Sequence, residues 1–221
     1  MELDTIKDIH THHPYPQPEA VISTGPDGFI PETGQYYSVG VHPWDTSSAV
    51  APEIWALLED AAAQPEVVAI GEAGIDLLKG GLLYLQLQIF RRQVLLSEKT
   101  GKPLIIHDVK AHDIISGLKR DLNPRCNWAI HGFRAKPAVA KMFTDKGIYL
   151  SFGEKFNSET LKEMPEDLIL AETDESTKTI DEIIENLSSA KGKDLSAIII
   201  ENTKRFLESP GLTVGPFMGN K

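Results

Sequence analysis

Apolar residues fall along the chain in short runs, separated by longer stretches in which they recur every three or four positions. The runs AVIST (20–24), YYSVGVH (36–42), VVAIGEAGID (67–76), PLIIHD (103–108), NWAIHGF (127–133), GIYLSFG (147–153) and LILAETD (168–174) have strand length and aliphatic content. A further run, 5–12, sets Ile6 and Ile9 among Lys7 and Asp8 and is stopped by Pro14 and Pro16. The intervening stretches predict helices: 52–63 opens at Pro52, 82–100 ends before Gly101, 110–121 ends before Asn123 and Pro124, and 135–146 ends at Gly147. Strand and helix in alternation predict a parallel sheet, and about eight such strands predict an α/β fold, a TIM-like (β/α) barrel.

The first third breaks this rhythm. Between His12 and Tyr36 there is too little chain for two crossover helices, and Pro14, Pro16, Pro18, Pro26 and Pro31 favour loops. The first two crossover helices are therefore expected to be missing or shortened. The barrel wall beside the first two strands would then be thinly covered, and a homodimer partner is the expected cover.

Composition narrows the class. A chain of 221 residues, 41% hydrophobic, can bury a substantial core in one domain, read as 1–221 with 208–221 as a C-terminal tail. No apolar run approaches the roughly 18 residues of a membrane span. Cys126 is the one cysteine, so no intrachain disulfide can form; with no charged-then-apolar leader, the expected compartment is the cytoplasm. Cys126 itself is read as a structural thiol. The formal net charge of −10 argues against a broad nucleic-acid surface, although bound divalent cations would offset acidity locally.

Candidate chemistry opens the chain. KDIHTHHPYP (7–16) holds three of the seven histidines. On a strand, His10 and His12 share a face and lie about 7 Å apart, close enough for one metal ion, while His13 falls on the other face as a turn residue. His42, Glu72, His107, His131 and Asp174 each stand at or just past the C-terminal end of an apolar run, the end where barrel enzymes gather their catalytic groups. Each alone reads more readily as a hydrogen-bonded strand-end residue; together they predict a convergent site. Histidine nitrogens with carboxylate oxygens suit zinc, manganese or magnesium.

The same residues carry a family resemblance. DIHTH (8–12), GVHPWD (40–45), AIGEAGID (69–76), KPLIIH (102–107), IHGF (130–133) and ETD (172–174) resemble, in order, the motifs of the TatD-related deoxyribonucleases within the amidohydrolase-like hydrolases. The resemblance runs from about residue 4 to Leu207. It implies a barrel with one or two divalent ions: His10, His12 and Asp174 on the first, His107 and His131 on the second, Glu72 bridging, and His42 lining the site. Asp174 would act as general base, by its place at the last strand's end and by the resemblance. His42 would donate to a leaving group or orient substrate, or serve only as the turn histidine before Pro43.

The chain also departs from the family pattern. Val109 stands where a basic residue is common, with Lys110 beside it, so a phosphate contact is lost or moved there. Trp44 stands where a second histidine is common, and ESTKT (175–179) replaces the usual continuation of ETD. Arg134, just after the sixth-strand histidine, is the nearest candidate for a substrate anion. Three readings follow: a metal-dependent phosphodiesterase acting on DNA or nucleotide ends, a small-molecule amidohydrolase or lactonase on the same ions, and a metal-binding protein with little turnover. Cations do not form a strip; Lys119, Arg120 and Arg125 make only a loose cluster.

Overall fold

The computed structural model describes residues 3–14 and 17–210. Eight strands lie side by side in sequence order, every neighbouring pair parallel. They are β1 Asp8–Thr11, β2 Ala20–Thr24, β3 Tyr36–Val39, β4 Val67–Asp76, β5 Leu104–Val109, β6 Trp128–Ile130, β7 Tyr149–Phe152 and β8 Ile169–Ala171. Helices α1 Pro52–Ala62, α2 Leu83–Thr100, α3 His112–Leu122 and α4 Pro137–Thr144 occupy the predicted stretches. The strands read as apolar runs because both faces are buried, as a parallel sheet wrapped by helices requires.

Three further helices, α5 Ser158–Glu163, α6 Ile180–Lys191 and α7 Ser196–Leu207, complete the outer ring. Helix α6 starts with a capping box: Thr179 and Glu182 each satisfy the other's backbone N–H. Its Ile180, Ile183, Ile184 and Leu187 recur at helical spacing and are buried.

Two apolar layers hold the barrel. Outside the sheet, Ile22, Val39, Ile70, Leu104, Trp128, Leu150 and Ile169 pack against helix residues such as Leu58, Phe90, Ile115, Phe143, Ile183 and Ile199. Inside, Ile9, Val21, Tyr36, Ala69, Ile105, Ala129, Tyr149 and Leu170 come one from each strand and pack with Phe206 and Leu207 of α7. Each fully buried aliphatic side chain contributes on the order of 1.5–3 kcal/mol. Two residues further along β5, β6, β7 and β8, on the same face, come His107, His131, Ser151 and Glu172. The lumen therefore has an apolar floor and a polar layer towards the C-terminal strand ends.

No helix occurs among the described residues of 12–35, as expected. Part of the expected exposure remains, since Ile30 in this segment is 80% exposed. All residues of β1 and β3 are buried within the chain, and Phe29 of the second connection packs edge-to-face on Tyr37 with ring centres 5.2 Å apart. Loop side chains such as Phe29 thus supply part of the cover, and a homodimer partner over Ile30 remains a proposal. Of the expected tail, Glu208–Pro210 is described after α7 and residues 211–221 lie outside the described residues. No helix among the described residues is long and apolar enough to cross a membrane.

The ring closes between β1 and β8 without a regular ladder. Thr11 and Asp174 form an isolated parallel bridge, in which Asp174 donates its N–H to the His10 carbonyl at 2.9 Å and His12 donates to the Asp174 carbonyl at 3.0 Å. Beneath it the buried Asp8 carboxylate accepts from the Thr173 hydroxyl at 2.7 Å and the Thr173 N–H at 3.1 Å.

Candidate metal centre

The six residues expected as ligands meet over this polar layer. His10 lies on β1, one residue before its end, and His12 just past it; Glu72 is on β4, His107 on β5, His131 just past β6 and Asp174 beyond β8. Glu72 stands between two groups. Its Oε2 lies 3.4 Å from Nε2 of both His10 and His12, while its Oε1 lies 2.6 Å from His107 Nδ1 and from His131 Nε2. Asp174 Oδ1 faces the first group, 3.9 Å from His10 Nε2 and 3.7 Å from His12 Nε2. His42 joins the second group, with Nε2 3.0 Å from Glu72 Oε1.

Charge follows this geometry. Burial alone would raise the Glu72 carboxyl, but His131 and the close imidazoles of His10, His107 and His12 hold it well below the usual carboxylate range. Burial opposes charging His131, yet Glu72 and Glu172 push that imidazole well above its ordinary value. Glu72 also raises His12. His10 is wholly buried and neither ring nitrogen has a hydrogen-bond partner, although Nε2 sits beside the Glu72 carboxylate. Uncompensated burial of such polar atoms is costly. Sets of three ligand atoms within 4.8 Å of one another occur at His10, His12 and Asp174, at His10, Glu72 and His131, and at His42, Glu72 and His107. The donor set therefore fits divalent ions on both sides of Glu72.

Sequence reasoning passed over the groups behind these histidines. Asp76, at the end of β4, lies 3.2 Å from His107 Nε2 and accepts from the Trp44 indole N–H at 2.7 Å and the Leu78 and Lys79 N–H groups at 2.8 Å. Glu172 is fully buried; it accepts from the Gly132 N–H at 2.6 Å, and the same oxygen lies 3.7 Å from His131 Nδ1. Burial would raise the Glu172 carboxyl, but its contact with His131 lowers it. Gly74 lets β4 approach β5 closely: a Cβ there would collide with the His107 carbonyl oxygen.

The expected substrate residues sit at the rim. Lys110 and Arg134 are exposed and line one depression with His112 and His131; Arg134 also borders a second depression with Asp174, Lys155 and Ser176. Lys119, Arg120 and Arg125 lie elsewhere. They fall at and beyond the C-terminal end of α3, opposite the site, and Arg120 and Arg125 pair with Asp121 and Glu98. His13 is apart from the cluster, its ring on the Ser176 carbonyl at 2.7 Å.

Comparison with known proteins agrees with this construction. The family model described as TatD related DNase matches residues 31–208, a span that holds every site residue except His10 and His12. The uncharacterized metal-dependent hydrolase YabD of Bacillus subtilis is 29% identical over 195 residues, 77% of this chain and 76% of that protein. The uncharacterized metal-dependent hydrolase TatD of Mycobacterium tuberculosis is 33% identical over 63% of this chain and 57% of its own length. The 3'-5' ssDNA/RNA exonuclease TatD of Klebsiella pneumoniae is 32% identical over 53% of this chain, but that match spans only 45% of the exonuclease. Among solved structures, the TatD homolog YJJV of Escherichia coli superposes with a TM-score of 0.76 over 95% of this chain and all of its own, at 19% identity, a likeness of fold. On the span and order of these matches, the chain belongs to the TatD-related DNase family of metal-dependent hydrolases.

Proposed function

We propose that the protein hydrolyses phosphodiester bonds of DNA or nucleotide ends, using one or two divalent ions held by His10, His12 and Asp174 on one side of Glu72 and by His107 and His131 on the other. The observation that carries the reading is the split of the Glu72 carboxylate, each oxygen turned to a different pair of imidazoles. Four imidazoles with two carboxylates favour zinc or manganese over magnesium. Ions bound there would supply acidified water and charge neutralisation at a phosphoryl oxygen.

The chain's own groups set the rest. Asp174 turns one oxygen towards His10 and His12 and keeps a second to accept the attacking water's proton. The two backbone bonds across the barrel seam fix its position. His42 is held as a donor. Its Nδ1 accepts from the Trp44 N–H at 3.1 Å, so the neutral ring carries its hydrogen on Nε2, facing Glu72 Oε1. A neutral ring in that tautomer orients Glu72 and serves poorly as a proton donor to a leaving group. Lys110 and Arg134 supply positive charge at the rim for the substrate's phosphate.

The acidic balance of the chain, −10 overall, favours short substrates or strand ends over long duplexes, and keeps a lactone or amide substrate as the second reading. A panel decides between them: metal-stripped protein, reloaded with Zn²⁺, Mn²⁺ or Mg²⁺, is offered single-stranded DNA, bis-nitrophenyl phosphate, lactones and amides. Metal-dependent turnover of the two phosphodiesters is expected. Turnover of carbonyl substrates alone would overturn the phosphodiesterase reading, and no metal-dependent turnover of any substrate would leave a metal-binding protein.

A further inference from the structure

The two halves of the candidate centre are built differently. Behind His107 stands Asp76, whose Oδ2 receives both His107 Nε2 and the Trp44 indole, and whose Oδ1 receives two backbone N–H groups. With every neighbour a donor, Asp76 serves purely as an acceptor and keeps the His107 hydrogen on Nε2. Nδ1, 2.6 Å from Glu72 Oε1, is then left with its lone pair facing a carboxylate. Behind His131 stands Glu172, fully buried and fixed by the Gly132 N–H, with Oε1 beside Nδ1. At 3.7 Å this is an ion-pair contact and not a hydrogen bond; the carboxylate's charge draws hydrogen to Nδ1, so that an ion would meet Nε2, which lies 2.6 Å from Glu72 Oε1.

The other half has no such backing. His10 Nδ1, like His131 Nδ1, is buried without a hydrogen-bond partner, but whereas Glu172 stands 3.7 Å from His131 Nδ1, the carboxylates near His10 face its Nε2. The side chains of His12 and Asp174 are 40% and 29% exposed, against 11% and 9% for His107 and His131. His10 meets Glu72 and Asp174 through Nε2, the side an ion would occupy, with no carboxylate paired to Nδ1, and His12 stands partly in solvent.

From this contrast we infer that Asp76 and Glu172 are positioning residues that preset His107 and His131 as ligands, so that the His107/His131 side takes and keeps the first ion while the His10/His12/Asp174 side exchanges. The inference rests on the metal reading above. A carboxylate behind a ligating imidazole fixes the ring and strengthens the nitrogen as a donor, and its removal typically weakens metal binding about 10- to 100-fold. Trp44 belongs to the same chain of contacts, because its indole N–H holds the Asp76 oxygen that faces His107.

Calorimetric titration of the metal-stripped full chain with Zn²⁺ tests this. The parent is expected to bind in two phases. Asp76→Asn and Glu172→Gln should each weaken the tighter phase by about 10- to 100-fold and spare the weaker one, whereas His12→Ala should abolish the weaker phase alone. Trp44→Phe, at a half-exposed position, removes one donor to Asp76 and should weaken the tighter phase by a smaller factor, which keeps the test open if a buried variant fails to fold. In ¹⁵N spectra of the imidazoles, the Zn²⁺-loaded parent should show hydrogen on Nε2 of His107 and Nδ1 of His131, a signature that a merely structural role would not set. A parent that binds no ion overturns the metal reading itself. Two phases in the parent, with the tighter one unmoved in Asp76→Asn, Glu172→Gln and Trp44→Phe or lost in His12→Ala, overturn this inference alone.

Discussion

Asp174 donates its backbone N–H to the carbonyl of His10 at 2.9 Å, which places the proposed base by main chain and not by its own carboxylate. The side chain can therefore be altered without moving the residue. Asp174→Asn keeps the shape and one metal-facing oxygen but loses the proton acceptor, so turnover on the substrate that the panel yields should fall by about 10²-fold or more with the fold intact. Equal activity in the variant and the parent would remove Asp174 from catalysis.

Gly74 gives a second test. A methyl group there meets the His107 carbonyl across the β4–β5 pair, so Gly74→Ala must push the two strands apart at the level of the site. We expect a loss of stability of about 1–3 kcal/mol together with weakened metal uptake. Denaturant unfolding and metal content, measured on the same preparation, check both; unchanged values in each would show that the strands yield without cost.

The rim cations should separate binding from chemistry. Lys110→Ala and Arg134→Ala remove charge from a depression bordering the site but touch none of the proposed ligands. KM for a phosphodiester should rise severalfold, by an amount that shrinks at high salt, while kcat changes less. A fall in kcat at constant KM would place these residues in the chemical step instead.

A pH effect is expected far from the site. Lys102 donates to the carbonyls of Ala62 and Gln64, and burial pushes its ammonium down to about 8 from an ordinary 10.5. Between those values the unfolded chain holds a proton that the native chain has released, so this group makes stability rise with pH from about 8 to about 10.5. Lys102→Met should flatten that rise in thermal unfolding. A variant whose slope matches the parent's would show that Lys102 is not its source.

Much of the architecture was legible because the strands are buried on both faces and so stand out as aliphatic runs; AVIST and VVAIGEAGID coincide with β2 and β4. Helices α5 to α7 were not singled out. The first has only six residues, and the Thr179 to Glu182 cap that opens α6 begins inside a stretch noted only for departing from the family pattern. The convergence of the six candidate residues was legible because each stands near or just past a strand end. The carboxylates behind them were not, because Asp76 and Glu172 find their histidines 31 and 41 positions away along the chain. Trp44 read as a missing histidine, whereas its indole N–H reaches Asp76, a direction that one-dimensional spacing does not contain.

The seam between β1 and β8 has a consequence for how the protein withstands heat. His10 and His12 stand on one lip of this closure and Asp174 on the other, where Asp8 and Thr173 already join positions 165 residues apart. An ion shared by those three side chains would act as a clasp on the ring, tying the first strand to the last much as a cross-link does, and binding only the closed form. Chelation should then cost more than activity: the melting temperature should drop, and amides of β1 and β8 should lose hydrogen-exchange protection before those of β4 and β5, whose ladder needs no such fastening.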